Sequence, residues 1–330
     1  MFALFIPSPP WSSIHLGPFT IHIYALCLLA AIGVAWFWGK RRMVSWGGDA
    51  DTFDSLAFTA IICGIVGARI YHVVTEWQRY FTAGRDWLDI FRIWNGGLGI
   101  IGAVIGGAIG AWVFCRIHHL DMAAVMDVFA PTLLAAQAVG RLGNWFNQEV
   151  FGSPTELPWG LEIDAIHRPF GYGEYATFHP TFLYEGLWNL FGILVLFLLS
   201  RGNNFGYGKL FTSYVLWYTF GRFFIELIRI DPVNAPAGIR VNNWATAAIF
   251  LVAALVLIWQ LIKRPGADPA PFAPIAPTAD ASDVSDTSDA SDTSDGLDTS
   301  DTSDTPDDSD TSDTGHDEVD AATFSDVSTD

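Results

Sequence analysis

The chain has little charge, few cysteines, and neither Lys nor Arg in its last 66 positions, and each of these shortages excludes a class of protein or structure. Charged residues make up 16% of the 330 residues, against roughly 25% in an ordinary soluble domain. This low value indicates a membrane protein or a chain of two unlike regions. The three cysteines, Cys27, Cys63 and Cys115, lie far apart inside apolar runs. That spacing excludes a disulfide scaffold and predicts small buried apolar side chains.

The excess of acidic charge is confined to the C-terminal segment 265–330. This segment holds 19 of the 35 acidic residues and no Lys or Arg, so residues 1–264 carry 17 basic and 16 acidic residues. Asp recurs at every third position from Asp280 to Asp310. Such a composition buries too little apolar surface to offset the entropy lost on ordering. We therefore expect a Pro-rich linker at 265–277 and a disordered acidic tail beyond it.

A calcium-binding repeat is the alternative reading of the tail. Repeats of that kind need glycines at fixed positions for tight turns. Only Gly296 and Gly315 lie in the repeat region, so the composition favours disorder.

Seven apolar segments are each long enough to cross a bilayer, which takes about 20 residues. No Lys or Arg precedes the first segment, which is therefore not expected to be a signal peptide. The sequence predicts an all-α polytopic membrane body at 1–264, with seven transmembrane helices and a small outer head at about 143–180. The predicted spans are 19–39, 53–75, 97–115, 123–142, 181–200, 209–228 and 243–262.

The basic residues beside the spans predict the orientation of the chain. Lys and Arg gather on the cytoplasmic side of membrane proteins. If the cluster 40–42, which reads KRR, lies inside, the N-terminus lies outside. An odd number of spans then places the acidic tail in the cytoplasm. Gly102, Gly106 and Gly110 recur at every fourth position of the third span, which predicts close contact with another helix rather than a phosphate-binding loop.

Several ionisable residues fall inside the apolar segments, where they cost a few kcal/mol each and usually face a cavity or a partner. Arg69 lies in the second span and Arg141 ends the fourth. At about 100° per residue, one face of the sixth span carries a polar stripe of Tyr218, Arg222, Glu226 and Arg229. The alternative for Arg222 and Glu226 is a purely structural ion pair four residues apart.

A structural pair alone does not account for Arg141 at the same predicted membrane face as Arg222. Arginine binds phosphate oxygens through a planar fork of N–H groups. With Asn144 and Asn147 nearby, the two arginines predict a site for the phosphate of an anionic phospholipid. His179, where the outer loop enters the fifth span, is either a hydrogen-bonding residue at a helix start or a catalytic one. Tyr24 in the first span is either an interfacial aromatic or part of the site.

The stretch 140–152 reads GRLGNWFNQEVFG and resembles the signature G-R-x-G-N-x-x-N-x-E-x-x-G of the bacterial prolipoprotein diacylglyceryl transferase family. All fixed positions of the signature are met. Shorter pieces follow in the family's order: IHIYA, GARIYHV, WNGGLGIIG, HPTFLYE and YTFGRFFIELIR. The resemblance covers about residues 15–262 and leaves out the acidic tail.

The resemblance implies a seven-span helical enzyme of the bacterial plasma membrane. Such an enzyme moves the diacylglyceryl group of phosphatidylglycerol to the thiol of the lipobox cysteine in a prolipoprotein, and releases glycerol 1-phosphate. The expected partners are phosphatidylglycerol, prolipoprotein signal peptides and membrane lipids. Neither a cofactor, a metal ion nor nucleic acid is expected. Because the thiol belongs to the substrate, the enzyme needs no nucleophilic cysteine of its own.

The resemblance also assigns site residues. It implies that Arg141 and Arg222 stabilise the charge that develops on the departing phosphate. The other residues expected to be catalytic are Tyr24, Glu149 and His179, and those expected to contact substrate are Asn144, Asn147, Gly152, Tyr218 and Glu226.

One departure concerns the thiol proton. Many family members have a histidine in the glycine-rich stretch before the third span, and Ile101 occupies that position here. The proton must then go to another group, such as His179 or Glu149, if a protein base is needed.

Two other functions are compatible with a polar cluster in a membrane protein. An anion transporter would show internal repeats between its halves, and no such repeat is visible. A non-catalytic lipid-binding protein with seven spans is the third interpretation.

Overall fold

The computed structural model describes residues 5–17, 19–82, 86–93, 96–201, 205–231, 240–267 and 272. All of them lie within the compact unit Met1–Ala276. The predicted disordered tail lies outside the described residues.

The described chain is mostly helical, with two small β-hairpins. β1 and β2 pair antiparallel, with Ser13 opposite His22, and they lead directly into the first helix. β3 and β4 pair with Leu161 opposite Phe178. Single 3₁₀ turns occur at Trp87–Phe91 and Ala165–His167. The elements are β1 Ser13–Leu16, β2 Phe19–His22, α1 Ile23–Ser45, α2 Ala50–Thr75, α3 Gln78–Phe81, α4 Ile100–Ile117, α5 Met122–Asn147, β3 Leu161–Glu162, β4 Thr177–Phe178, α6 Thr181–Ser200, α7 Lys209–Ile228 and α8 Val241–Lys263.

Six of these helices are long and apolar enough to cross a membrane: α1, α2, α4, α5, α6 and α8. Many of their large apolar side chains are exposed, including Ile100, Leu255 and Leu29, as expected for helices that face lipid. These features indicate a multi-pass membrane protein. The sixth predicted span coincides with α7, which carries Lys209, Arg222 and Glu226 and is not among the six.

The first predicted span, 19–39, differs from the helix at both ends. Residues 19–22 form β2, and α1 continues to Ser45. The extension through the basic cluster is stabilised by α2, because Lys40 pairs with Asp54 at 2.6 Å and Trp36 donates a hydrogen bond to the same carboxylate. The predicted span stops before the first charged residue, Lys40. The helix continues past Lys40 because Asp54 of α2 neutralises its charge.

The glycines of α4 pack against α2, as their spacing predicts. A Cβ atom placed on Gly106 would lie 2.9 Å from the Cα of Gly67, and one on Gly110 would lie 2.6 Å from the Cβ of Cys63. Real Cβ atoms do not approach other carbon atoms this closely, so the two backbones can touch only because these residues are small.

Buried polar residues fix α7 at both ends. Near its start, Asp127 of α5 is 1% exposed and accepts hydrogen bonds from the backbone N–H groups of Gly208 and Phe211 at 2.9 and 2.8 Å. Near its end, the amide of Asn243 in α8 donates to the carbonyl of Phe223 at 3.0 Å. Since orphan N–H groups at a helix start need acceptors, Asp127 caps α7 from a neighbouring helix.

The segment between α5 and α6 has a small apolar core of its own. Phe151, Leu161, Ile163 and Phe178 are at most 5% exposed and pack together. The N-terminal segment joins this core, because Ile6 exchanges backbone hydrogen bonds with Gly160 and Glu162.

The start of the predicted linker also contacts the helical body. The carbonyl of Gly266 accepts a hydrogen bond from Lys209 at 2.6 Å. Phe272 packs against two buried clusters that include Phe53, Leu56 and Phe114.

Candidate active site

Charged side chains from four consecutive helices meet at one end of the bundle. Arg141 comes from the last turns of α5, Glu185 from the first turns of α6, and Arg222 and Glu226 from the last turns of α7. Arg240 precedes the first residue of α8. Because consecutive helices run in opposite directions, the end of one and the start of the next bring these residues together. We call this group, with Arg229, Asp231 and Asn242, the arginine cluster.

A single buried carboxylate joins the two predicted arginines. Glu185 is 4% exposed, and its two oxygens bind different partners. Its Oε1 accepts from Nη1 of Arg222 at 2.5 Å, and its Oε2 pairs with Nε of Arg141. The structure thus brings Arg141 and Arg222 together, with Glu185 between their guanidinium groups.

Glu226 is the most buried member of the cluster. It is fully inaccessible and accepts from Nη2 of Arg222 at 2.5 Å, so the ion pair expected from the i,i+4 spacing is present. Its other partners are Arg240 at 2.8 Å, Asn242 at 2.9 Å and Arg229 at 3.3 Å. A carboxylate removed from water requires this many charged and hydrogen-bonding partners.

Asp231 closes the cluster just beyond the end of α7. It pairs with Arg229 at 2.7 Å and with Arg240 at 2.8 Å. Burial raises the pKa of this carboxyl, but the hydrogen bonds and charges of the two arginines outweigh burial and leave the pKa below its ordinary value. Four arginines and three carboxylates give the cluster a net charge of +1 with all groups ionised.

Among the four arginines of the cluster, Arg141 makes the fewest hydrogen bonds in the described structure. Its Nη1 donates to the side chain of Asn144 at 3.2 Å, and its Nε pairs with Glu185. Its Nη2 has no hydrogen bond within the described part of the chain. In contrast, both terminal nitrogens of Arg222 are bound to carboxylates. Arg141 is therefore the arginine with a donor left for an incoming anion.

The polar residues of the signature bind one another. Glu149 accepts from the amide of Asn144 at 2.9 Å and from that of Asn147 at 3.4 Å. The carboxylate reaches back over the end of α5 because the backbone reverses there: Gln148 and Val150 have positive φ angles of 51° and 63°. For a β-branched residue this conformation is strained.

Side chains and backbone on both sides of Val150 hold that reversal in place. The hydroxyl of Thr181 donates to the carbonyl of Val150, and the amide of Gln148 donates to Asp164 at 2.6 Å. Gly152 follows in a position that excludes a side chain, because a Cβ there would lie 2.8 Å from the Cβ of His179. Its N–H donates to the His179 carbonyl at 2.9 Å.

His179 lies beside the cluster and hydrogen-bonds at the start of α6. Its Nδ1 is 3.1 Å from the hydroxyl of Tyr184, which also accepts from the indole of Trp159 at 3.0 Å. Burial lowers the pKa of His179 below its ordinary value, so the imidazole is neutral at pH 7. Its Nε2 forms no hydrogen bond among the described residues and can accept a proton.

The two predicted tyrosines occupy different places. Tyr24 packs on the signature helix, because a Cβ on Gly143 would lie 2.6 Å from its ring. Tyr218 lies one turn before Arg222 in α7 and stacks on Tyr214, with ring centroids 6.2 Å apart. Neither side chain hydrogen-bonds to the arginine cluster in the described structure. Ile101 is half-exposed in the first turn of α4.

Arg69 does not join the cluster, although it is an ionisable residue inside a span. It is buried and donates to the carbonyls of Ile90, Gly96 and Gly97 at 2.7 to 2.9 Å, and to that of Asp89. Arg69 therefore ties α2 to the segment that precedes α4.

Sequence reasoning missed several members of the cluster. Glu185 lies in the HPTFLYE piece, where only His179 was singled out as a site residue. The sequence feature that could have identified Glu185 is a carboxylate one turn into an apolar helix. Arg240 and Asn242 gave no signal, because they flank the start of α8 rather than interrupt an apolar run. The missed residues are Glu185, Asp231, Arg240 and Asn242.

Together the fold and the site define a polytopic membrane protein with a cationic, partly buried cluster at one end of its helices. A family model described as prolipoprotein diacylglyceryl transferase matches residues 12–259. The chain belongs to that family.

Curated relatives support the same assignment along most of their length. A phosphatidylglycerol–prolipoprotein diacylglyceryl transferase of Cutibacterium acnes is 53% identical over 263 residues, which cover 80% of this chain and 88% of the relative. Proteins of the same name from Bifidobacterium adolescentis and Streptomyces coelicolor are 46% and 44% identical. Those two matches cover 78% and 80% of this chain, and 81% and 76% of the relatives.

Proposed function

We propose that this protein transfers the diacylglyceryl group of phosphatidylglycerol to the lipobox cysteine of a prolipoprotein. The substrate thiol attacks the glyceryl carbon, and a carbon–sulfur bond forms. The carbon–oxygen bond to the phosphate breaks, and the electron pair leaves with glycerol 1-phosphate. Family membership supports this reaction, and the Arg141–Glu185–Arg222 bridge is the observation in the structure that favours it most.

The charge that develops on the leaving phosphate is met by Arg141. Among the described residues its Nη2 has no hydrogen-bond partner, and its Nη1 is held by Asn144. A preorganised donor of this kind lowers the barrier because it needs no rearrangement as charge develops. Arg222 contributes its positive charge while its two carboxylate partners fix its orientation. Tyr218 and Glu226 act at the same end of α7, where Glu226 holds Arg222 and Tyr218 borders the site.

The thiol proton has two candidate acceptors. His179 is neutral at pH 7, with Nε2 available among the described residues. Glu149 accepts hydrogen bonds from the side-chain amides of Asn144 and Asn147, which hold its carboxylate in place. A variant that lacks the true proton acceptor should lose less activity at high pH than at pH 7. At high pH the thiol of the substrate cysteine ionises without a base, because its own pKa is about 8.5. Activity rescue at pH 9 in His179→Gln, or in Glu149→Gln, identifies which residue accepts the proton.

The proposal extends to the membrane arrangement. α7 is the seventh span, buried among the other helices with its charges inside the bundle. The N-terminus, the arginine cluster and the small core at 148–180 face the outside of a bacterial plasma membrane. The helix ends that carry the basic residues Arg41, Arg116 and Lys263 face the cytoplasm, where the acidic tail follows.

The test combines the full-length protein in detergent with phosphatidylglycerol and a lipobox peptide. We expect a lipidated peptide and free glycerol phosphate in equal amounts. Arg141→Ala and Arg222→Ala should lower turnover by at least 100-fold, since loss of one preorganised donor costs roughly 10²–10³. Absence of product with wild-type protein would reject the function. Normal turnover in either variant would remove that arginine from the site.

A further inference from the structure

A tryptophan followed four residues later by a glycine, W-x-x-x-G, occurs once in α6 and once in α7. It reads WNLFG at 188–192 and WYTFG at 217–221. Neither stretch lies in the signature 140–152, although the second overlaps the shorter family piece YTFGRFFIELIR. In the structure the two copies face each other across the antiparallel pair of helices.

The two tryptophans form a reciprocal pair. Their rings are stacked, with centroids 4.2 Å apart and an interplanar angle of 11°. The indole N–H of Trp188 donates to the carbonyl of Trp217 at 3.0 Å, and that of Trp217 donates to the carbonyl of Trp188 at 3.0 Å. An indole N–H inside an apolar bundle needs an acceptor, and here each helix supplies the acceptor for the other.

The glycines make this pairing possible. In an α-helix each Cα–Cβ bond tilts toward the N-terminus, so the side chain at i+4 lies over the carbonyl of residue i. Gly192 and Gly221 therefore leave the carbonyls of Trp188 and Trp217 uncovered. A Cβ on Gly221 would overlap the indole of Trp188, at 2.7 Å from Cε2, and a Cβ on Gly192 would lie 2.5 Å from Cδ1 of Trp217.

The paired tryptophans lie one turn from the arginine cluster. Glu185 precedes Trp188 by three residues and so lies on the same face of α6. Arg222 directly follows Gly221. The carboxylate of Glu185 and Nη1 of Arg222 are 2.5 Å apart. The axial alignment of α6 and α7 that pairs the tryptophans is therefore the same one that forms this ion pair.

Farther from the cluster the two helices meet through apolar side chains, with Leu196 of α6 packed in one buried cluster with Leu210 and Tyr214 of α7. An apolar groove of about 300 Å³ opens there, and it is lined by Trp188, Val195, Leu199, Leu216, Trp217 and Phe250, among others. Apolar side chains alone would allow one helix to slide along the other. The two tryptophan hydrogen bonds prevent this, because each joins a fixed position on α6 to a fixed position on α7.

We propose that Trp188, Gly192, Trp217 and Gly221 form a register latch that positions Glu185 between Arg222 and Arg141. The latch residues are positioning residues, because they act on the reaction through Glu185. A slip by one residue moves the carboxylate about 1.5 Å along the helix axis, and a displacement of about 1 Å at a reacting centre can cost on the order of 10² in rate. The activity readout rests on the proposed function, whereas the geometric readout does not.

The experiment compares Gly221→Ala with Gly186→Ala in the full chain. Gly186 lies in the partner helix α6, and a Cβ there meets nothing within 4 Å, which makes it the matched control. Nitroxide labels at Leu190 and Phe224, both about half-exposed on α6 and α7, report the distance between the helices. The three native cysteines are replaced by alanine for labelling.

We expect Gly221→Ala to lower kcat by about 10- to 100-fold, with KM for phosphatidylglycerol within about twofold of wild type. The distance distribution should shift or broaden, and Gly186→Ala should change neither quantity. Trp188→Phe and Trp217→Phe keep an aromatic ring, although a smaller one, and lose one N–H each, so they should fold and lower kcat by several-fold.

Three results would overturn the latch. One is an unchanged distance distribution in Gly221→Ala, and another is an altered distribution with wild-type kcat. The third is wild-type kcat in both Trp→Phe variants. Absence of transfer by the wild-type chain would reject the proposed function alone, and the label distances would still decide whether the latch sets the register.

Discussion

Glu185 is the residue whose loss should change the cluster most simply. It is the one described side chain that binds both Arg141 and Arg222. Without its charge the two guanidinium groups repel each other across a buried space. They would then no longer share one fixed geometry.

Glu185→Gln keeps the size of the side chain and removes the charge. We expect turnover to fall by about 100-fold, because both arginines lose the partner that orients them. The transfer assay measures this, with Glu156→Gln as the control, since Glu156 is exposed in the segment between α5 and α6. Wild-type turnover in Glu185→Gln would show that the bridge is not needed.

The imidazole of His179 should titrate below the ordinary value of about 6.5, because burial lowers its pKa. Between the folded and unfolded pKa values the unfolded chain binds more protons. The contribution of His179 to stability is therefore present above about pH 6.5 and is lost as the pH falls through that window.

NMR of the full chain with ¹⁵N-labelled histidine should show one resonance with a midpoint below 6.5. His179→Gln should remove that resonance and make the protein less sensitive to mild acid. A midpoint at or above 6.5 for the resonance that disappears would contradict the burial of this ring.

At the scale of elements, α7 contributes Arg222 and Glu226 to the arginine cluster, and its start is held by another helix. Asp127 caps it from α5 through two backbone N–H groups. A cap substitution costs about 0.5–2 kcal/mol, and the buried N–H groups left without an acceptor add to this.

Asp127→Ala should therefore lower the free energy of unfolding by about 2 kcal/mol or more. Thermal unfolding in detergent, followed by tryptophan fluorescence, measures the drop in Tm. Asp51→Ala is the control, because Asp51 is an exposed acid in the first turn of α2. An equal Tm for wild type and Asp127→Ala would mean that α7 does not depend on this cap.

The helices were predictable from the sequence to different degrees. The predicted limits 181–200 and 209–228 match α6 and α7, because polar turns flank both apolar runs. The first span was misplaced, because β2 is as apolar as a helix start and because Lys40 is neutralised by Asp54. Hydropathy reads single residues, and it does not detect a partner on another helix.

The same limit applies to the candidate site. Arg141 and Arg222 were found because each interrupts or ends an apolar run. The sequence did not reveal that Glu185 bridges the two arginines, because it lies 44 positions from Arg141 and 37 from Arg222. Nor did it reveal that Arg240 pairs with Glu226, 14 positions away. Asn144 and Glu149 pair locally, yet the strained reversal at Val150 that allows it has no composition signal.

At the scale of the whole molecule, the two ends of the bundle should lie in different compartments. The proposed arrangement places Glu156 outside and His119, in the turn between α4 and α5, inside. Both side chains are exposed, so single cysteines at these positions report the side of the membrane.

A membrane-impermeant thiol reagent added to intact cells should label Glu156→Cys and not His119→Cys, in a chain without its native cysteines. Both should react after the cells are opened, which controls for reactivity. The opposite pattern would invert the orientation and place the arginine cluster at the cytoplasmic face.

The strand-like pairing of Ile6 with the segment around Leu161 has a practical consequence for work with this protein. A segment fused to the amino terminus would lie close to the small core, which continues through Gly152 and His179 to the end of the bundle that holds the arginine cluster. An affinity tag at the other terminus is the safer choice for purification, and a removable amino-terminal tag should be cleaved before kinetics are measured.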